Sequence, residues 1–228
     1  MRSATFFNKF SKTYESRGRV NSLQYQWMVK NILRQINKER CKVIDFGTGT
    51  GYLARRIAVS FPKSKVIGID IAEGMINEAR KKVKNMGIKN VQFINVPMEK
   101  FKIKRIDFAV SANAFHHVKN KKLVISKIYQ NLTEDGKVII ADGGFKPSKE
   151  YEREIEKIRS KNPQRTKEFD KSWQETLKRM TREYKEKHPK EYQICPTELK
   201  DIMKNVGFRK QKILKSPLPN FAVVIGEK

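Results

Sequence analysis

The stretch Val43-Ile44-Asp45-Phe46-Gly47-Thr48-Gly49-Thr50-Gly51 constrains this chain more than any other. The apolar run over residues 41–46 reads as a buried strand, and residues 52–60 carry apolar side chains at helical spacing through Leu53, Ile57 and Ala58. Strand, tight turn and helix follow. Glycines at 47, 49 and 51 let the backbone turn sharply and bring main-chain N–H groups close to a ligand at a helix N-terminus. No Gly-Lys-Ser/Thr comes next, so the phosphate-gripping lysine of a P-loop is missing, and Tyr52 and Leu53 stand where a dinucleotide fingerprint has its third glycine. Downstream, Lys65-Val66-Ile67-Gly68-Ile69-Asp70-Ile71 reads as a second strand, with an acid about 20 residues past the loop, where a carboxylate can accept both hydroxyls of a ribose. The expected ligand carries a ribose but no pyrophosphate.

The remaining chain alternates helix and strand. Residues 22–36 read as a helix, preceded by a less regular segment holding Phe10 and Tyr14. Strands are expected at 90–96, 106–112 and 137–141, with helices at 71–85, capped by Gly87, and at 121–131, with Leu123, Val124, Ile128 and Leu132 on its apolar side. Asp135-Gly136 reads as a turn. Thr197 is the expected cap of a helix over 198–205 closed by Gly207, and 208–214 with 220–225 reads as an antiparallel strand pair. Between strands five and six the composition turns rich in Lys, Arg and Glu, with helical spacing at Tyr151, Ile155 and Ile158 and again at Phe169, Trp173, Leu177, Met180 and Tyr184. That is a two-helix insertion over 146–192, split near Asn162-Pro163, readable as a solvated face, a cap over the pocket or a basic arm.

Four blocks in this order resemble class I S-adenosylmethionine-dependent methyltransferases of the ubiquinone/menaquinone methyltransferase-like branch. They are residues 43–51, Gly-Ile-Asp-Ile-Ala-Glu-Gly-Met at 68–75, Ile-Asp-Phe-Ala-Val-Ser-Ala-Asn-Ala-Phe-His-His-Val at 106–118 and Asp-Gly-Lys-Val-Ile-Ile-Ala-Asp at 135–142. The resemblance implies an α/β, Rossmann-like, doubly wound seven-stranded sheet with the last strand antiparallel. It also implies S-adenosyl-L-methionine as cofactor, held by Tyr14, Asp45, Gly47, Thr48, Gly49, Gly51, Asp70, Ile71, Met75, Met98 and Ser111. Asp45 supports the loop and the cofactor's amino end in such enzymes, Ile71 lies against the adenine, and an aromatic at Tyr14 folds over the cofactor or packs as core. One departure stands out. Pro97 occupies the position of an Asp that commonly accepts from the adenine amino group, which proline cannot do, leaving the Met98 backbone N–H as a ring contact.

The catalytic candidates are His116, His117 and Asp142, each with two readings. A histidine beyond a strand's carboxyl end can be a general base, since imidazole titrates near neutrality, or a polar residue bonded to backbone at a helix start. The second is favoured for the pair, because a base should vary with the chemistry it serves. Asp142 can orient substrate, or cap or pair with a lysine. Asn113-Ala114-Phe115 lacks the prolines of the motif used on DNA adenine, and adjacent histidines without a third ligand do not make a metal site.

At 228 residues one domain is expected, residues 1–40 forming a helical lid. No apolar run has membrane-spanning length, residues 1–9 lack the apolar core of a signal peptide, and two cysteines without metal spacing point to a reduced, cytoplasmic protein. Lys and Arg number 50 against 24 Asp and Glu, a formal net charge of +26. Such a surplus attracts polyanions. The first expectation is methyl transfer to a small molecule; the second is transfer to tRNA or rRNA, and the third a non-catalytic cofactor- or nucleic-acid-binding protein on the same fold. The absence of a separate RNA-binding module favours the first.

Overall fold

The computed structural model describes residues 2–15, 19–183 and 191–228. Seven strands form one sheet: β1 (Lys42–Phe46), β2 (Lys65–Asp70), β3 (Val91–Asn95), β4 (Ile106–Ala112), β5 (Leu132–Asp142), β6 (Lys210–Lys215) and β7 (Ala222–Glu227), in the order β3-β2-β1-β4-β5-β7-β6. The first five are parallel, whereas β7 runs antiparallel to both β5 and β6. The chain winds outward from β1 to β3 and then crosses back to β4 on the other side of β1. The carboxyl ends of β1 and β4 therefore diverge into a crevice, where such sheets bind ligands.

Alternation along the strands sorts side chains onto two faces. Val43, Val66, Phe108, Val110 and Ile139 pack beneath α2 (Leu23–Gln35), α3 (Tyr52–Ser60) and α4 (Glu73–Met86). Ile44, Phe46, Ile67, Ala109 and Ile140 face α5 (Lys121–Asn131) and α8 (Pro196–Val206). Burial on both faces is why these strands read as continuous apolar runs. Ser22 caps α2 by accepting from the Tyr25 N–H, and Gly87, at φ 64°, closes α4.

The N-terminal segment expected to be helical holds α1 (Arg2–Phe10) and a short 3₁₀ turn, with Phe6 and Phe10 one turn apart and buried. Three expectations are corrected. Leu123 is exposed; Val124, Ile125 and Ile128 make the buried face of α5. Asp135-Gly136 lies within β5, whose pairing with β4 begins at Ile106↔Leu132 and shifts register before Phe108↔Lys137. The N-cap of α8 is Cys195, not Thr197: Pro196 takes the first helical position, and the Glu198 carboxylate accepts the Cys195 N–H at 2.8 Å.

The insertion forms α6 (Lys149–Lys161) and α7 (Pro163–Glu183), joined by a bidentate Arg159–Asp170 pair; Tyr184 lies outside the described residues. α7 docks on α2, where Gln24 Nε2 donates to Phe169 O at 2.7 Å and the Ser172 hydroxyl donates to Gln24 Oε1 at 3.1 Å. Trp173 meets Phe221 edge-on at 5.0 Å.

Candidate cofactor and substrate pocket

The loop between β1 and α3 is fastened to β2 before any ligand is considered. The N–H groups of Gly47 and Thr48 both donate to Ile69 O at 2.9 Å, and the Gly49 N–H donates to Asp70 Oδ2 at 2.9 Å. Gly47 has φ 71°, and a Cβ there would stand 2.4 Å from Ala114 Cβ and 2.7 Å from Met98 Cε, so a side chain would block the slot between the loop and the β4 tip. Above Gly49 the space is open: a Cβ would meet nothing within 4 Å.

Asp70 ends β2 as a clasp. Its Oδ2 holds Gly49 and its Oδ1 accepts the Ala72 N–H at 2.9 Å, while its own carbonyl receives Asn95 Nδ2 and the Val96 N–H. Each carboxylate oxygen keeps acceptor capacity beyond these bonds. Burial raises its pKa, against the N–H groups of Ala72 and Gly49. Asp45, fully buried behind the loop, accepts the Thr48 hydroxyl at 2.6 Å. Burial, with Asp70 nearby adding to it, pushes Asp45 up to about 7, and the Thr48 hydroxyl opposes the rise.

That pKa sets a pH dependence. An acid whose folded pKa lies above its unfolded value, ordinarily about 4, contributes stability that is complete below about 4 and is lost as pH rises through about 7. Asp45→Asn keeps an acceptor for Thr48 and removes the titration. Thermal melts between pH 5 and 8 are expected to fall less steeply with pH in this variant than in the wild type; parallel curves would contradict the assignment.

A cavity of about 160 Å³ opens over the loop at the carboxyl ends of β1, β2 and β4. Of the residues expected to hold the cofactor, Tyr14, Gly47, Thr48, Gly49, Asp70, Ile71, Met75 and Met98 line it. Asp45, Gly51 and Ser111 stand behind it: Gly51 starts α3 with φ 78°, and the Ser111 hydroxyl is turned to Phe46 O at 2.8 Å. Ile71 is exposed yet lines the cavity, as a contact for a flat ring requires. Pro97 lines it too, with Glu99 beside it.

Asn113, at the β4 tip, lines the cavity as well, and so do residues that the sequence did not single out as ligand contacts: Phe7, Tyr25 and Tyr52. Tyr52 directly follows the last loop glycine, the one local signal for it, and Asn113 follows β4 in a left-handed conformation, φ 56°. Tyr25 and Phe7 carried none beyond helical spacing. Phe7 and Tyr14 make an N-terminal roof. No described residue of the 146–192 insertion lines the cavity, so the roof comes from the N-terminal segment.

The two histidines part company. His117 lines the cavity, its ring 5.5 Å from Phe7. His116 is buried outside it: Nδ1 is 2.7 Å from Asp142 Oδ1, its backbone N–H donates to Asp142 Oδ2 at 3.0 Å, and its ring packs against His117 at 4.1 Å between centroids, tilted by 52°. The expected backbone partner for His116 is replaced by a carboxylate. Asp142 also accepts the Gly144 N–H at 2.8 Å; burial pushes its pKa up, but the imidazole and these N–H groups outweigh that and hold it below the usual range. The second strand of contacts runs on from here, with the Tyr192 N–H donating to His116 O at 2.7 Å.

A doubly wound sheet with an antiparallel last strand, a glycine loop clasped by an acid at the end of β2 and a cavity over both define the class I methyltransferase architecture. Residues 37–194 match the family described as a methyltransferase domain, and the chain belongs to that family. It is 27% identical over 139 residues to a malonyl-[acyl-carrier protein] O-methyltransferase of Priestia megaterium, covering 60% of this chain and 50% of that protein. To an uncharacterized methyltransferase of Bacillus mycoides it is 29% identical over 157 residues, 66% of this chain and 71% of the other. The chain thus spans about half the length of the malonyl-carrier methyltransferases it matches. A SAM-dependent methyltransferase from Aquifex aeolicus shares the fold, with a TM-score of 0.65 at 18% identity over 96% of this chain and 97% of that one.

Proposed function

We propose that the protein is an S-adenosylmethionine-dependent methyltransferase acting on a small-molecule acceptor. The observation that carries this reading is the Gly49–Asp70 clasp at the cavity floor, which presents a carboxylate and bare main chain to one ligand. The residues fit an adenosyl sulfonium: Asp70 for the ribose hydroxyls, Ile71 and Met98 for the adenine, the open main chain at Gly49 for the amino-acid tail, with Asp45 supporting it from behind. When bound, that group supplies an electrophilic methyl carbon.

The protein's own task is then orientation and exclusion of water. Phe7, Tyr14, Tyr25 and Tyr52 shield the cavity, and Asn113 and His117 at the β4 tip face the acceptor. His117 is the residue placed to take a proton from an acceptor that carries one; His116 and Asp142 act through it, by fixing its ring. Both free cysteines are buried, which suits a reducing cytoplasm; among the described residues no helix is long and apolar enough to cross a membrane.

Among the described residues, the charged groups lining the cavity are Asp70 and Glu99, with no lysine or arginine. This favours a small acceptor over a phosphate backbone entering the site, even though the net charge is +26. A second reading joins the basic exterior to the small cavity: an acyl group delivered on a carrier protein with an acidic face, the Priestia relative being named for an acyl-carrier-protein substrate. Labelled methyl transfer into a metabolite extract, acyl-carrier protein and total RNA in parallel tests this. Label in the first fraction is expected; label in the RNA alone would overturn the small-molecule reading.

A further inference from the structure

We infer that Glu15 is a positioning residue that locks the N-terminal roof to the cofactor loop, an inference resting on the proposed cofactor site. Its carboxylate gathers donors from three separate elements. The hydroxyl of Thr50, between two of the loop glycines, donates to Oε1; Arg55 Nη2 from α3 reaches both oxygens at 3.0 and 3.1 Å; and Lys82 Nζ from α4 stands 2.9 Å from Oε1. Arg55 is itself buried and turns its Nη1 back onto Thr50 O at 2.6 Å. The loop is thereby gripped at both its hydroxyl and its carbonyl by one ion-pair network.

The network matters because of what adjoins it. Glu15 follows Tyr14, which lines the cavity, and Thr50 follows Gly49, whose N–H Asp70 holds. A second tie lies seven residues earlier, on α1, where Asn8 Oδ1 accepts the Gly74 N–H at 2.7 Å at the start of α4. Roof, loop and the helix after the ribose-binding acid are therefore set as one unit. Burial pushes the Glu15 pKa up, but Thr50, Lys82 and Arg55 outweigh it and hold it below the usual carboxylate range. Removing its charge leaves Arg55 and Lys82 facing each other with no anion between them, the situation in which a partly buried ion network costs most.

The test compares wild type, Glu15→Gln and Thr50→Val. Thr50→Val deletes only the hydroxyl link and leaves both ion pairs, so it remains informative if Glu15→Gln folds poorly. The dissociation rate of S-adenosylhomocysteine is expected to rise about tenfold in Glu15→Gln, equivalent to about 1.4 kcal/mol, and less in Thr50→Val. Raising salt should speed dissociation from the wild type more than from Glu15→Gln, because the latch is ionic. Equal rates in all three proteins would overturn the inference. Amide hydrogen exchange over residues 2–15 of the ligand-free proteins gives an independent answer: faster exchange in Glu15→Gln is expected, and unchanged exchange contradicts the latch. If the wild type fails to bind S-adenosylhomocysteine, the cofactor reading falls, and the exchange result still decides the role of Glu15.

Discussion

Asp70→Ala is expected to weaken binding of S-adenosylmethionine and S-adenosylhomocysteine by at least about a hundredfold, because it removes two hydrogen bonds to a charged acceptor at about 1.5–3 kcal/mol each. The residue does double duty. It faces the cavity and also holds the Gly49 and Ala72 N–H groups, so the alanine variant disturbs the loop as well as the ligand contact. Asp70→Asn separates the two effects: its carbonyl keeps one acceptor for the loop while the charge is lost, and its affinity should fall between those of wild type and Asp70→Ala. Melting temperature tells the same story from the other side. Burial raises the Asp70 pKa, so folding works against its charge, and loss of the carboxylate should cost far less in stability than in binding. Affinity unchanged in a folded Asp70→Ala protein would mean that the ribose lies elsewhere.

Asp142→Ala should do the reverse, lowering stability strongly. Three groups lose their acceptor at once: the His116 backbone N–H, His116 Nδ1 and the Gly144 N–H, all around a fully buried carboxylate. Breaking a buried pair of this kind costs about 3–5 kcal/mol, which for a chain of this size lowers the melting temperature by about 10 °C. The sign of the pH effect follows from the depressed pKa. A carboxylate held below its unfolded value contributes stability that is present above about 4 and is lost as pH falls through the folded value. The gap between wild type and Asp142→Ala should therefore be widest at neutral pH and narrow in acid. A melting temperature within about 2 °C of wild type at pH 7 would show that the pair is not integral to the fold.

Where local chemistry and tertiary structure agree, the sequence was readable. The β1–loop–α3 unit announces itself because glycines, strand run and helical spacing adjoin one another, and Asp70 follows from the length of one strand–helix–strand repeat. Readability fails where a residue's role depends on distant partners. Cys195 is an unusual cap and local chemistry favours the polar Thr197, although Pro196 and Glu198 mark the true start. The early turn at Asp135-Gly136 was plausible locally; pairing of Leu132 with Ile106 draws that stretch into β5. Tyr25 carries no local signal on α2 and yet lines the cavity, since only the packing of α2 against α3 brings it beside Tyr52, at 5.7 Å between rings. Glu15 lay wholly out of reach: its three partners lie 35 to 67 residues away, and nothing in their spacing connects them.

The histidine pair is instructive in another way. Sequence offered two neighbours of equal standing, and the fold assigns them different surroundings, because a 3₁₀ turn over Phe115–His117 points one ring at Asp142 and leaves the other on the cavity wall. On the proposed function, only His117 is placed to meet an acceptor, and His116 is set back against Asp142.

The central claim is that the cavity over the glycine loop binds an adenosyl sulfonium, and calorimetric titration of the wild-type protein with S-adenosylhomocysteine tests it most directly. One-to-one binding with measurable heat, lost in Asp70→Ala, is the expected result; a flat titration with no thermal protection of the folded protein would contradict it.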